Sequence, residues 1–439
     1  MKLAVVVQRY GAEINGGAEL HARYVAEHLA RHAEVHVFTS CARDYVTWRN
    51  ETPAGVEQVN GIPVHRFPVD HPRSPRAFAH HSQRVFDARH SIADELAWLD
   101  SEGPASTALI RHIRAVEAEY DYVIFFSYRY YHSYHGIRAV PAKALLVPTG
   151  ERDPAIGVGA FQPIFRGVRA LMYNSPEERA MIRGVAGNDD VPDVVVGIGS
   201  DVPAATEPER VRRAYDIRTR FAIYVGRIDE NKGCKELFEF FQRYVATRPG
   251  NLTLALIGSA VLPIPPHARI RHLGFLSDQE KFDAIAAADV LIMPSFYESL
   301  SIVALEAWAL GRPVLANGRC DVLRGQCLRS NAGLYYDTYE EFAEALYRIQ
   351  TDRPLAEALG RNGREFYCRH YTWPIIENKY LDMLERLRAE GRAGRRAAPI
   401  EPLPGWRARR QRTLPPARDV MNGLPMGPAP STGKDQADA

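Results

Sequence analysis

Cysteine is scarce in this chain. Five occur among 439 residues: Cys41, Cys234, Cys320, Cys327 and Cys368. The number is odd and no Cys-x-x-Cys pair occurs, which argues against a disulfide framework and a zinc site and fits a reducing compartment. Long apolar runs are missing too. The opening Met1-Lys-Leu-Ala-Val-Val-Val-Gln8-Arg9 is too short for a secretory leader, and nothing approaches the ~20 apolar residues of a membrane span. A cytoplasmic location is expected, with room for a peripheral contact on the inner face of a membrane. Neither charge dominates: 55 Lys and Arg face 53 Asp and Glu, a net of +2. Positions 391–439 hold nine basic and four acidic residues, a net of +5, so the rest carries −3. That excludes a globally basic nucleic-acid binder. With 25% charged and 46% hydrophobic residues, the composition is that of an ordinary globular protein.

The length suggests about two or three domains. Short apolar runs alternate with helical patterns. Strands are expected at Leu3–Val7, Val35–Thr39, Tyr122–Phe126, Ala144–Val147, Ala170–Tyr173 and Val194–Val196, with a helix over Ala18–Arg31. A second series starts at the strand Phe221–Val225. Helix Lys232–Val245, strand Leu252–Ile257, helix Asp278–Ala287, strand Val290–Met293, helix Ile302–Leu310 and strand Pro313–Ala316 follow. Helices at Glu340–Gln350, Leu355–Tyr367 and Ile375–Arg388 close it. Such alternation points to parallel sheets with crossover helices, and unbroken apolar strands suit sheets covered on both faces. The expected division is a first α/β domain over 1–198, a second over 199–370, a last helix over 371–390 and a disordered tail over 391–439. The tail has eight prolines and few aliphatics, too little to fold alone. A cleft between two such sheets, at the carboxyl ends of their strands, is the expected ligand site.

Three segments carry chemistry. After the first strand, Tyr10-Gly-Ala-Glu-Ile-Asn-Gly16-Gly17-Ala-Glu19 places two glycines at a strand-to-helix turn, where backbone N–H groups can approach an anion. It is not Gly-x-Gly-x-x-Gly, and a tight turn without a ligand reads equally well. In the second half, Gly226-Arg227-Ile-Asp-Glu-Asn-Lys232-Gly233 follows its first strand. Cations near a helix start oppose the dipole and make sense with an anion between them; two solvated surface cations is the alternative. The third segment runs Pro294-Ser-Phe-Tyr-Glu298-Ser299-Leu300-Ser301-Ile-Val-Ala-Leu-Glu306-Ala307. Glu298 and Glu306 stand eight apart, about two turns if helical, on a similar face. Glu306 sits among apolar residues, costly without partners. A carboxylate accepts from two vicinal hydroxyls, as in ribose or a sugar ring, and the amides of Ser299–Ile302 would suit a phosphate.

Together these motifs resemble family four of the glycosyltransferases, the retaining nucleotide-sugar enzymes with two Rossmann-like domains facing across a cleft (the GT-B fold). The pair Glu298/Glu306, the segment Gly226–Gly233, Gly16-Gly17-x-Glu19 and the helix begun by Tyr371-Thr372-Trp373 match the family pattern, in which a last helix crosses back to the first domain. The resemblance spans roughly residues 1–390. It implies a donor site in which Arg227 and Lys232 neutralise the pyrophosphate, Glu306 holds the ribose and Glu298 the donor sugar. Ser299, Leu300 and Ser301 lend amides there, and Gly16 and Gly17 approach the phosphate beside Gly226. The implied donor is a UDP- or GDP-linked sugar, and the acceptor a sugar or lipid-linked sugar, as in bacterial surface polysaccharide or glycolipid assembly. The implied transfer goes with retention and no cofactor. No Asp-x-Asp occurs, so a metal-held diphosphate is not expected. The first domain departs from the pattern. Where many members carry His after a strand, this chain has Phe126-Ser127, and for Thr-x-His it has Thr149-Gly-Glu151. Acceptor-side candidates are therefore Glu19, Tyr128, His132, His135 and Glu151, with the run Ser127–His135 expected as an aromatic loop or a packed one. An epimerase or phosphorylase on the same plan, and a non-catalytic partner protein, are the competing readings.

Overall fold

Unbroken apolar runs become the central strands of two sheets. The computed structural model describes residues 1–14, 16–391, 400 and 403–429. They divide into two compact units, one formed by Met1–Gly197 with the described part of Glu377–Pro425, the other built on Ile198–Ile376. The first unit holds eight strands: β1 (Lys2–Val6), β2 (Glu34–Ser40), β3 (Gly55–Val59), β4 (Ile62–Phe67), β5 (Tyr122–Phe126), β6 (Ala144–Val147), β7 (Ala170–Tyr173) and β8 (Asp193–Val195). Their order is β3-β4-β2-β1-β5-β6-β7-β8, parallel except for the β3–β4 hairpin. The second unit holds β9 (Phe221–Val225), β10 (Thr253–Ile257), β11 (Ile270–Gly274), β12 (Val290–Met293), β13 (Val314–Asn317) and β14 (Gly333–Tyr336), all parallel, in the order β11-β10-β9-β12-β13-β14.

Each sheet is wound outward from its middle. In the first, the chain leaves β1 toward β2 and later restarts on the other side at β5; in the second it leaves β9 toward β10 and restarts at β12. Such switch points open a crevice at the carboxyl ends of the two central strands, the usual place for a ligand in this architecture. Both faces of each sheet are covered, and β5, β6, β7, β9, β10, β12 and β13 are buried almost along their length. Among the described residues no helix is long and apolar enough to cross a membrane.

The final helix, Trp373–Glu390, runs from one unit into the other's sequence set, and from Glu377 onward it packs with the first unit. Glu377 sits 2.6 Å from His28 Nδ1 and 2.9 Å from His32 Nε2, and Glu390 accepts from Arg169 at 2.6 Å.

The tail corrects the expectation of disorder over 391–439. Its described residues as far as Pro425 are ordered against the first unit. His90 and Leu414 exchange backbone hydrogen bonds of 3.2 and 3.1 Å, Arg418 reaches Asp87 at 2.8 Å, and a short helix, Ala417–Asn422, buries Ala417 completely. Gly157 makes that fit possible: a Cβ there would stand 2.0 Å from the Ala417 carbonyl oxygen. Leu424 inserts into the same core. The segment cannot fold alone, but it borrows a core that already exists. The remaining tail positions, 392–399, 401–402 and 430–439, lie outside the described residues.

Candidate functional site

The loops after β9 and β12, the strands flanking the second switch point, carry the residues singled out for donor binding. Gly226 ends β9 at φ +150°, Arg227 follows half-exposed, and Lys232 precedes the helix Cys234–Thr247. Gly233 caps that helix at φ +73°, and a Cβ on it would meet the Pro294 carbonyl oxygen at 2.0 Å. Only glycine lets the two loops touch there. Each of the two cations has a carboxylate partner. The Arg227 guanidinium donates to Asp229, and Lys232 Nζ lies 2.9 Å from Glu298 Oε1. Asp229 also accepts the Lys232 amide at 2.8 Å, so one carboxylate shapes the whole turn. The signal was in the sequence, two positions beyond Arg227.

Glu298 and Glu306 do not share a helix face. The helix starts only at Ile302, and Glu298 belongs to the loop before it. Ser301 caps that helix, its Oγ accepting the Ala304 amide at 3.2 Å. Leu300 is buried and Ser299 precedes it in the loop, so this segment presents backbone at a helix N-terminus, where first-turn amides and the dipole favour an anion. Glu306 is 1% exposed. Its Oε1 accepts from Ser200 Oγ and from Lys281 Nζ, each at 2.9 Å. Its Oε2 is buried with no hydrogen-bond partner among the described residues. Ser200 and Lys281 escaped the sequence reading. Lys281 stands 25 positions before Glu306 on a different helix, and nothing in one sequence marks that contact.

In the first unit, Gly16 and Gly17 open the helix Gly17–Leu29. Glu19 in its first turn is buried and gripped by Arg9 through Nε at 2.9 Å and Nη2 at 2.7 Å, and Arg9 lies over Tyr45 and Trp48. The run after Ser127 is not a free aromatic loop. It turns into the helix Tyr131–Ala139, and its histidines are packed. His132 is 1% exposed, with Nε2 3.0 Å from the Phe126 carbonyl, and burial pushes its pKa down to about 4. His135 packs against Tyr131 and Tyr134, and burial lowers it to about 4 as well. Tyr128 is buried, its hydroxyl without a partner among the described residues. Glu151 is half-buried in the loop after β6.

A different feature marks this end of the sheet. Ser127 after β5 and Thr149 after β6 both adopt left-handed backbone, φ +65° and +49°, and their hydroxyls meet at 2.7 Å. Each such residue costs about 1–2 kcal/mol, and paired outliers at strand ends point to function. Beneath them Glu178 accepts from the Gly150 amide and, at 2.5 Å, from the Asn174 amide. Burial raises its pKa to about 8. His21, on the first helix, stacks edge-on against Phe126; burial takes its pKa down to about 3 and leaves Nε2 unpartnered among the described residues. The sequence marked Ser127 and Thr149 only as departures from the family pattern, and His21 and Glu178 went unread.

Two doubly wound α/β units with anion-directed loops at their switch points define the GT-B class of fold. Solved structures agree. A sucrose-phosphate synthase from Thermosynechococcus elongatus superposes with a TM-score of 0.66 at 18% identity, covering 89% of this chain and 100% of that one. Anabaena HepE, solved in complex with UDP-glucose, gives 0.64 at 16% identity, covering 88% and 100%. Residues 207–366 match the family model of the glycosyl transferases group 1. A D-inositol 3-phosphate glycosyltransferase of Nocardioides sp. is 27% identical over 244 residues, 54% of this chain and 48% of that protein. The lipopolysaccharide core biosynthesis glycosyltransferase LpsE of Rhizobium meliloti is 31% identical over 171 residues, 36% of this chain and 48% of that one. The chain thus spans about half the length of each of these two relatives.

Proposed function

We propose that this protein transfers a sugar from a UDP- or GDP-linked donor to an acceptor hydroxyl with retention of anomeric configuration, without a metal. The observation that carries the reading is the Glu306 carboxylate: one oxygen held by Ser200 and Lys281, the other buried and unpartnered beside the switch point. An ionised acceptor left in that state is costly unless a ligand supplies donors, and a ribose diol does. The relatives' names and the UDP-glucose held by HepE support a nucleotide-sugar donor.

In this reading Arg227 and Lys232 meet the diphosphate. Lys232, whose Nζ lies 2.9 Å from Glu298 Oε1 and 3.5 Å from the Tyr297 carbonyl oxygen, supplies a point charge, while Arg227 exchanges Asp229 for phosphate oxygens. Glu298, so positioned, receives donor-sugar hydroxyls. The N-terminus of the helix Ile302–Ala309 faces the charge that grows on the departing diphosphate, a preorganised stabilisation. The residues near Ser127, Thr149 and Glu151 receive the acceptor. Its class is a sugar or lipid-linked sugar of surface polysaccharide or glycolipid assembly, in line with the LpsE likeness. The exposed Trp406, followed by Arg407, Arg409, Arg410 and Arg412, supports a peripheral contact with an anionic membrane.

Calorimetric titration of UDP-glucose and GDP-mannose into the wild type and Glu306→Gln tests the donor role. Losing a charge-assisted bond, about 1.5–3 kcal/mol, should weaken the accepted donor about 10- to 150-fold. Unchanged affinity would remove Glu306 from the ribose site.

A further inference from the structure

A recess lies in the second unit, at the other end of its strands from the donor loops. It measures about 440 Å³. Ala286 precedes β12, Leu310 and Arg312 precede β13, and all three line it, whereas the donor loops follow β9 and β12. Val202 and Pro203 supply apolar wall; Arg364 supplies a second guanidinium. No acidic side chain lines the recess.

Arg312 is only partly exposed, yet it forms no ion pair or side-chain hydrogen bond among the described residues, and its Nε is buried without a partner. Burial lowers its pKa from the ordinary arginine value; Asp289 acts against that and the nearby Arg212 adds to it. Asp289 itself is engaged by Arg220 at 2.9 Å, and Arg212 is anchored on the backbone carbonyls of Thr219 and Ala287. The charged side chains in the lining of the recess are therefore both cations, and Asp289, the nearby anion, is shared with Arg220. A partly desolvated cation without an ion pair, as Arg312 is, is rare in folded proteins because nothing repays the lost hydration, while Arg364 is exposed at the rim. A guanidinium fork matches the oxygens of a phosphate group, and two forks around one recess match a dianion. The volume exceeds what a bare phosphate fills, and the Val202, Pro203 and Leu310 wall suits a compact organic body.

We propose that this recess is a binding site for a small phosphate monoester, held by Arg312 and Arg364 and separate from the donor site. One wall connects it to that site: the Tyr367 hydroxyl donates to the Ser200 carbonyl at 3.0 Å, and Ser200 Oγ holds Glu306.

The test is calorimetric titration of the full-length chain with phenyl phosphate, inorganic phosphate and phenol. Phenyl phosphate should bind, inorganic phosphate more weakly and phenol not at all. Arg312→Ala and the exposed Arg364→Ala should each weaken phenyl phosphate at least tenfold, and Lys232→Ala should leave it unchanged. Should Arg312→Ala misfold, Arg364→Ala and Arg312→Lys give the same reading from folded protein. Absence of binding by the wild type, full affinity in the Arg364→Ala variant, or loss of binding in Lys232→Ala would overturn the assignment. The last pattern would place the anion at Lys232 instead. The measurement needs no turnover, so its failure would leave the donor-site reading standing.

Discussion

Replacing Lys281 by methionine isolates what holds the buried Glu306 carboxylate. Methionine keeps an unbranched apolar stem over the Phe282 ring, where Lys281 Nζ now lies 4.4 Å from the centroid, and removes only the charge. Glu306 is 1% exposed and Lys281 15% at the side chain, so this pair is nearly dry. Removing one partner of a buried pair costs about 3–5 kcal/mol. Ser200 still donates to the same oxygen, which sets the value at the lower end, and the lost pairing of Lys281 with the exposed Asp278 adds little. The expected destabilisation of the second unit is thus about 3 kcal/mol, or roughly 6–12 °C in its melting temperature at the size of this unit. Glu306→Gln in the same chain should restore most of it, because a neutral amide no longer requires a cation; a coupling of about 2 kcal/mol between the two sites is expected. Differential scanning calorimetry of the wild type, both single variants and the double variant closes the cycle. A Lys281→Met protein melting within 2 °C of the wild type, or a double variant no more stable than Lys281→Met, would refute this account of how the carboxylate is held.

Arg227→Ala and Lys232→Ala should each lower kcat about 100-fold once a donor is identified, with smaller effects on donor affinity, and full turnover in both would separate these cations from the chemistry. Ending the chain at Gln411 exposes the site of Ala417 and Leu424; losing the Leu424 burial alone is worth about 1.5–3 kcal/mol, so the first unit should melt several degrees lower and the second should not move. His36, His65 and His112 form a ring stack on the first sheet, with Lys2, Glu34 and Glu119 the charges around it, and burial lowers all three pKa values. Their neutral forms favour the fold, so that stability is complete above the unfolded histidine pKa of about 6.5 and is lost as the pH falls below it. Denaturation curves between pH 7.5 and 5 should show this slope, to which the buried His21, His132 and His135 add with the same sign, and His112→Phe should make it shallower without abolishing it.

Much of this architecture was readable because buried parallel strands write themselves as apolar runs. Tyr122–Phe126, Ala144–Val147, Ala170–Tyr173, Phe221–Val225 and Val290–Met293 were expected where they stand. Four strands went unread. β3 is exposed along almost its whole length and β11 carries Arg271 and His272 in its middle, while β4 alternates buried and half-buried positions and β14 is mostly half-buried, so none shows an unbroken apolar run. Pairing with a neighbour, not hydrophobicity, makes them strands. The site divides similarly. Arg227, Lys232, Glu298 and Glu306 announce themselves as charges at improbable places. Their partners Ser200 and Lys281 arrive from distant segments, and the left-handed backbone of Ser127 and Thr149 has no residue signature, since neither is glycine. The tail was misjudged for one reason: composition reports whether a segment can build a core, not whether it can complete one.

The discontinuity of the first unit bears on how the protein is made. Its first 197 residues leave the ribosome long before Glu377, Tyr380 and the segment around Ala417 do. At about 5–20 residues per second, the intervening stretch takes roughly 10–40 s to translate. Throughout that interval the nascent sheet lacks the final helix that buries Tyr380 against it, and the hollow beside Gly157 stands open. Each sheet lies in one uninterrupted stretch, β1–β8 before Gly197 and β9–β14 before Ile376, so what the first unit awaits is its covering segments and not a strand. The amino-terminal half thus matures around carboxyl-terminal segments delivered last.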